Sequence, residues 1–277
     1  MTAFLARFLR NRLAALALVW VLALSAMAAL APWIAPTDPL RIGHDAFAPP
    51  GRQYLLGTDN QGRDILSGVV YGARVSLLVG CLAAFTSSLV GVTIGGLAGF
   101  QGRWVDALLM RLAELFQVMP RFFLAILVVS LFGSGIQQII VVLGMLGWPP
   151  TARLVRATIL TIREQPFVEA AHATGVPGWR VCVREILPNS LPPAVVAGSL
   201  DVAQAILTEA GLSFFGLGDP NLVSWGSMLF SAQGFLRHGW WLTVFPGLAI
   251  FLTVVAFNLV GDGVNDALNA KLHQQLA

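Results

Sequence analysis

Four long windows without a charged residue dominate this sequence. They cover residues 13–34, 75–102, 122–152 and 242–260. A run of about 20 apolar residues is long enough to cross a bilayer as a helix. Only 11% of the residues are charged, against about 25% in ordinary soluble domains, so a water-soluble fold of this size would lack polar surface. The sequence therefore predicts an all-α integral membrane protein with several spans.

The window 122–152 decides how many spans there are. It is too long for one span and too short for two, and Gly133-Ser134-Gly135 in its middle has the composition of a turn. We therefore expect one helix from near residue 110 to this turn, carrying Glu114 and Arg121, and another after it. The six predicted spans are 13–34, 75–101, 110–132, 136–156, 191–212 and 241–261. Residues 35–74 form a loop outside the membrane.

The distribution of basic residues fixes the predicted orientation, because Lys and Arg concentrate on the cytoplasmic side. With six spans and both termini inside, eleven basic residues are cytoplasmic: Arg7, Arg10, Arg12, Arg103, Arg111, Arg153, Arg156, Arg163, Arg180, Arg184 and Lys271. Five are outside: Arg41, Arg52, Arg63, Arg74 and Arg237. Treating 122–152 as one span would move the arginines of 153–184 outside and nearly invert the bias. Six spans with cytoplasmic termini is the better prediction.

Residues 157–190 form a polar, basic segment that a turn divides. We expect a helix over about 162–174. Gly175 can adopt the left-handed conformation that ends a helix, and Pro177 suits the first position of the next one. Pro188 should stop that second helix just before the fifth span.

The second helix of this segment is two-faced. Trp179, Val183 and Ile186 recur at helical spacing, with Arg180 and Arg184 on another side. A surface helix with one apolar and one basic face suits a protein partner or anionic lipid. The alternative is an interfacial helix that only anchors the chain in the membrane.

The same segment resembles the EAA loop of ABC importer permeases. That pattern is Glu-Ala-Ala, three residues, Gly, and a downstream Ile and Leu-Pro, and here it comprises Glu169, Ala170, Ala171, Gly175, Ile186, Leu187 and Pro188. Three further stretches, 57–77, 206–226 and 261–272, resemble the C-type permeases of dipeptide, oligopeptide and nickel importers. The resemblance covers the chain from about residue 50 to its end. Val176 departs from it, because many relatives have a helix-capping Ser after the glycine.

This resemblance implies the six-helix fold of type I ABC importer permeases, with both termini cytoplasmic. It divides the chain into a first transmembrane helix with a periplasmic loop (1–74) and an ABC transmembrane domain (75–277), whose coupling loop spans about 157–190. In that loop, Trp179 and Arg180 join the seven motif residues in docking onto the ATPase.

The implied partners are a second homologous permease, two ATP-binding subunits and a periplasmic or lipid-anchored substrate-binding protein, assembled in a bacterial inner membrane. ATP and Mg would bind to the ATPase subunits, so we expect no cofactor on this chain and no catalytic residue. The implied cargo is a di- or oligopeptide or a related small solute, with nickel or a metal chelate as the alternative. Membrane lipids are expected partners, and nucleic acid is not.

Arg121, Asp201 and Glu209 lie well inside the predicted spans, where an ionisable group costs about 2.5–3.5 kcal/mol on insertion scales. Arg121 and Asp201 are both expected near the middle of the bilayer. They either line the cargo cavity, binding a carboxylate or an amino group, or pair with each other or with the partner permease, and of these we favour pairing. Glu209 is nearer the outer end, where a gate or an interface role is open.

Other classes of protein have weaker support. A P-loop needs a Gly-Lys pair, and the only lysine, Lys271, follows Ala270, so this chain is not a P-loop ATPase. The four histidines show no metal-ligand spacing, and Cys81 and Cys182 are expected as free thiols. An ion-coupled secondary transporter using Arg121, Asp201 and Glu209 is the main competitor, but we find no clear inverted repeat.

Gly91, Gly95 and Gly99 predict close helix packing.

Overall fold

The computed structural model describes the backbone of residues 2–275 and the side chains of residues 4–268, and helices make up most of it. The helices are α1 (Thr2–Arg10), α2 (Arg12–Ala29), α3 (Ala31–Ile34), α4 (Ile65–Gln101), α5 (Arg103–Val118), α6 (Arg121–Phe132), α7 (Ile136–Arg163), α8 (Pro166–Ala173), α9 (Gly178–Val181), α10 (Leu187–Phe214), α11 (Trp225–Ala232) and α12 (Trp241–Gln275). A π-helical turn, Cys182–Ile186, joins α9 to α10, and a 3-10 turn, Gln233–Phe235, follows α11.

Five helices in the described chain are long and apolar enough to cross a bilayer: α2, α4, α7, α12 and the continuous run formed by α9, the π turn and α10. The pair α5 and α6 also passes if the two are counted as one broken span, which gives the six predicted spans. All-α architecture with up to six spans is therefore confirmed.

The second span begins earlier than predicted. Helix α4 starts at Ile65, ten residues before the expected position, so the last part of the expected outer loop is helical. Asp64 caps this helix, because its carboxylate accepts hydrogen bonds from the Ser67 N–H and the Ser67 hydroxyl, both at 2.7 Å. A cap of this kind stabilises a helix by about 1 kcal/mol.

The packing of α4 against α7 holds the centre of the bundle. Gly95 of α4 lies so close to Ala152 that a Cβ at this position would overlap its backbone carbonyl. Gly91 and Gly99 make the equivalent contacts with Thr151 and Ile159. Small residues at this spacing let two backbones approach closely in a membrane. The close packing predicted from these glycines is confirmed, and it lies within the chain.

The third span differs from the prediction of one straight helix. Helices α5 and α6 meet at an 85° bend. Pro120 explains the break, since a proline disfavours helical geometry in the residue before it, and Met119 is extended at φ −81° and ψ 133°. Arg121 is therefore the first residue of α6. The residues from Arg121 to the turn at Gly133 are helical, and the depth of Arg121 in a bilayer stays a prediction.

The turn between the third and fourth spans is confirmed. Helix α6 ends at Phe132, Gly133 has a φ of 100°, and α7 begins at Ile136. Helix α7 runs to Arg163, seven residues past its predicted end, despite carrying Pro149 and Pro150. One helix therefore connects this turn to the polar segment that follows α7.

At the opposite end of the bundle, two tryptophans fix the loops to the helices. Trp225 is fully buried and donates its indole N–H to the Val69 carbonyl at 2.9 Å, which ties α11 to α4. Trp241 donates to the Thr58 carbonyl at 3.1 Å, which ties α12 to the loop before α4. A buried indole N–H needs such an acceptor.

Replacing Gly95 with Ala tests the central contact. We expect Gly95→Ala to destabilise the folded protein by about 1–3 kcal/mol, because the added methyl group has no room beside Ala152. Gly96→Ala is the matched control, since its Cβ would meet only Leu187 Cδ1 at 3.9 Å. The measurement is the apparent melting temperature of each purified variant in detergent. Equal melting temperatures for the two variants would contradict the packing.

Candidate functional site

The polar segment after α7 begins with a break that the sequence analysis missed. Helix α7 ends at Arg163, and α8 begins at Pro166, so the predicted continuous helix over 162–174 is wrong. Pro166 accounts for this, because proline is well suited to a first turn and unsuited to a helix interior. Residues 164–186 therefore fold back from the end of α7 as two short helices, α8 and α9, followed by the π turn.

The turn between these two helices is as predicted. Gly175 has a φ of 79°, and the Val176 N–H bonds to the Ala171 carbonyl at 3.3 Å, which closes the end of α8. Pro177 precedes α9 as its N-cap residue, one position earlier than predicted.

Pro188 does not stop the second helix, contrary to the prediction. The chain passes from α9 through the π turn directly into α10. Pro188 has no N–H for an α-helical bond, and the wider turn before it places the Leu187 N–H on the Cys182 carbonyl instead. Asn189 also donates its side-chain N–H to the Glu185 carbonyl at 2.6 Å. The helix therefore continues across the proline through a locally widened turn.

A small apolar cluster holds the segment against the bundle. Val168, Val181 and Ile186 are buried, and they pack against Val155 and Ile159 of α7. The predicted docking residue Ile186 is therefore part of the core, and Ala171 and Leu187 are half-buried. The remaining predicted docking residues are exposed: Glu169, Ala170, Gly175, Trp179, Arg180 and Pro188.

The outward face of the segment is apolar and basic. Phe167, Trp179 and Val183 have 45%, 61% and 55% of their surface exposed. The Arg180 guanidinium carbon lies 5.4 Å from the centre of the Trp179 ring. Phe167 is not among the predicted docking residues, because it lies outside the motif from which they were taken.

Two arginines of α7 fix the neighbouring helix ends. Arg163 donates to the Gly99 carbonyl at 2.8 Å. The negative end of the α4 dipole also stabilises a cation at this position. Arg156 forms a two-bond ion pair with Asp106 of α5. Sequence reasoning counted these arginines only as cytoplasmic charges, because their partners are about 50 to 60 residues away in the chain.

A cavity of about 460 Å³ opens among α4, α6, α7 and α10. Its volume lies in the range of about 300–1,000 Å³ that small-ligand sites occupy. Most of its wall is apolar or small, including Phe122, Leu143 and Leu146. The polar side chains that line it are Ser87, Arg121, Asp201, Gln204 and Thr208.

Arg121 and Asp201 share this cavity without forming an ion pair. Within residues 4–268, no nitrogen of Arg121 lies within 4.0 Å of a carboxylate oxygen, so the predicted direct pairing is absent from this conformation. Arg121 donates to the Gly147 carbonyl at 3.2 Å. Asp201 accepts from Ser87 at 3.5 Å and from Thr151 at 3.4 Å, both long for hydrogen bonds.

Glu209 lies away from the cavity and is only 2% exposed. Its carboxylate accepts hydrogen bonds from Ser213 at 2.7 Å and from Ser76 at 3.3 Å. The carboxylate therefore links α10 to α4 inside the chain. Among the described residues, no group of three or more His, Cys, Asp and Glu side chains is arranged to hold a metal ion.

The bent helix bundle, the folded-back segment and the charged cavity define a multi-pass membrane protein of the permease type. Residues 91–274 match the family described as binding-protein-dependent transport system inner membrane component. Residues 2–50 match the N-terminal transmembrane domain of oligopeptide transport permease C. The chain belongs to this family of binding-protein-dependent transport permeases, which confirms the resemblance read from the motifs.

Two relatives show how far the similarity extends. The dipeptide transport system permease protein DppC of Escherichia coli strain K12 is 42% identical over 275 residues, which cover 96% of this chain and 92% of the relative. The glutathione transport system permease protein GsiD of Pectobacterium atrosepticum is 39% identical over 272 residues, which cover 97% and 90%. The family is one of transport permeases.

A solved structure has the same fold. A chain of the MetNI methionine ABC transporter, in an inward-facing conformation, matches with a TM-score of 0.62 and 19% identity. The match covers 73% of this chain and 97% of the MetNI chain. The fold is therefore that of a type I ABC importer permease.

Labelling with a charged thiol reagent tests whether the cavity is open to water. In a variant with Cys81 and Cys182 replaced by Ser, we expect a cysteine at Thr208 to react with a cationic methanethiosulfonate, because Thr208 lines the cavity. Ser213→Cys is the matched control on the same helix, since Ser213 is buried at 2% exposure. The measurement is the mass shift of each purified variant. Equal labelling of the two variants would contradict the conclusion that Thr208 faces a cavity open to water.

Proposed function

We propose that this chain is the transmembrane subunit of an ATP-driven importer for di- and oligopeptides. The names of the relatives support the cargo class, because dipeptide, di/tripeptide and glutathione transport permeases are all similar along nearly their whole length. A glutathione-like tripeptide is chemically a short peptide too. The proposed location is a bacterial inner membrane, as the bacterial sources of these relatives suggest.

The folded-back segment is the proposed docking site for an ATP-binding subunit. The observation that carries this is an exposed apolar and basic face on a firmly packed base. Trp179, Phe167 and Val183 face outward, while Val168, Val181 and Ile186 fix the segment to α7. Large aromatic side chains at a protein surface are typical anchors of protein interfaces. ATP and Mg act on the partner in this proposal, and this chain receives the movement.

The proposed orientation puts both termini and the docking segment in the cytoplasm. The basic residues counted above support this direction. Phe8, Ala14 and Ala267 pack together, so the two terminal helices, α1 and α12, meet at one end of the bundle. The division of the chain at residues 74 and 75 stays a prediction.

The charged cavity is the proposed cargo path of this subunit, completed by a second permease. Its neutral polar groups and two charges suit a polar organic solute. A nickel ion is a poorer fit, because one carboxylate in this cavity, Asp201, supplies no set of metal ligands. In an ABC importer, closure of the ATPase dimer would move the docking segments, switch the helices and expose this path to the outside.

A pull-down tests the docking segment. We expect Trp179→Ala to lower recovery of the ATPase with the tagged chain at least tenfold, because a buried Trp anchor commonly contributes about 2 kcal/mol or more to an interface. Trp240→Ala is the matched control, since Trp240 is similarly exposed, at 57%, before α12. Gly175→Pro should also lose the ATPase. The measurement is quantitative mass spectrometry of the co-purified proteins. Recovery of a lone oligomer without an ATPase, from the unmodified chain, would overturn the proposal.

Uptake in proteoliposomes tests the energy source and the cargo. We expect the complete transporter, with its binding protein, to accumulate labelled dipeptide only when ATP is present on the ATPase side. Collapse of the proton gradient should leave this uptake unchanged. Uptake that needs the gradient and ignores ATP would instead support an ion-coupled transporter built on Arg121 and Asp201.

A further inference from the structure

One cation and one anion face the same cavity, and within residues 4–268 no direct ion pair joins them. Arg121 enters it from the start of α6, and Asp201 from the middle of α10. The other side chains of the wall are neutral. A charge in a membrane protein normally pairs or faces water, since an unpaired one is costly. This cavity therefore holds two charges with unused capacity for a ligand.

Both groups have hydrogen-bonding capacity left. A guanidinium has five N–H donors, and within residues 4–268 Arg121 uses one, on the Gly147 carbonyl. Asp201 accepts both of its long bonds on Oδ2, and Oδ1 accepts none from the described residues. Ser87 and Thr151 hold the carboxylate only weakly at these distances. A charged ligand group could form shorter, stronger bonds to either side chain.

We infer that Arg121 and Asp201 form a clamp for a zwitterion, binding the terminal carboxylate and the terminal ammonium group of a short peptide. This inference rests on the proposed peptide cargo. Peptides differ in their side chains but share these two ends, so a clamp on the ends accepts many sequences. Most of the remaining wall is apolar, with Phe122, Leu143 and Leu146, so it offers the peptide side chains few polar partners. Opposite charges at the two ends also disfavour a plain cation or a plain anion.

The test is direct binding to the assembled transporter in nanodiscs, without the binding protein, so that selection by that protein does not enter. The probes are L-alanyl-L-alanine, its N-acetyl derivative and its C-terminal amide, and the readout is Kd by calorimetry. We expect the free dipeptide to bind at least tenfold more tightly than either blocked form, because each lost charge removes a charge-assisted hydrogen bond.

Each variant should lose one end only. Asp201→Asn should weaken binding of the free dipeptide about tenfold or more and leave the N-acetyl derivative unchanged. Arg121→Gln should weaken binding of the free dipeptide by a similar factor and leave binding of the C-terminal amide unchanged. If a side chain has only a structural role, its replacement should weaken the binding of all three ligands by the same factor. Comparing each variant with each blocked ligand, as in a double-mutant cycle, separates the two cases. Arg121→Lys should recover part of the loss. Arg111→Gln is the control, because Arg111 is an exposed arginine away from the cavity.

The outcomes separate this inference from the proposed function. If the unmodified transporter takes up dipeptide with ATP but binds the three ligands equally, or not detectably, the clamp is overturned and the transport function stands. If it takes up no peptide at all, the proposed cargo fails first. The comparison of the three ligands on unmodified protein needs no variant, so a variant that fails to assemble does not remove the test.

Discussion

The contact between α4 and α7 is the constraint on which the rest of the structure depends. Inside a bilayer, helices gain little from the hydrophobic effect, and close van der Waals packing must hold them together. Gly91, Gly95 and Gly99 allow this by bringing the two backbones together along several turns. Ser87 and Thr151, on these two helices, then both reach Asp201 on α10. The position of the cavity follows from this contact.

Much of the fold follows from local sequence signals. Charge-free windows identify the spans, and the turn at Gly133 is readable because glycine tolerates a positive φ. Gly175 is readable for the same reason. These features depend on a few neighbouring residues, which is why a single sequence contains them.

The missed features depend on how prolines act within longer helices. Pro120 bends the third span by 85°, Pro166 starts a helix, and Pro188 is absorbed into one. The same residue type thus gives three outcomes: the residues before Pro120 and Pro166 are extended, and the residue before Pro188 is helical. Near Pro188, the Asn189 side chain donates to the Glu185 carbonyl, a contact that the sequence alone does not reveal. The pairing of Arg156 with Asp106 was likewise out of reach, because only the folded chain brings the two together.

Helix α7 carries a consequence for how the two proposed sites influence each other. Its 28 residues make a rod about 42 Å long. Leu143 and Leu146 on this rod line the cavity, and Ile159 supports the docking segment. If movement of the rod couples the sites, thermodynamic linkage makes the effect reciprocal. If the ATP-binding subunit changes the affinity for cargo by some factor, bound cargo must change the affinity for that subunit by the same factor. The affinity of the permease for the ATP-binding subunit would then depend on whether cargo occupies the cavity.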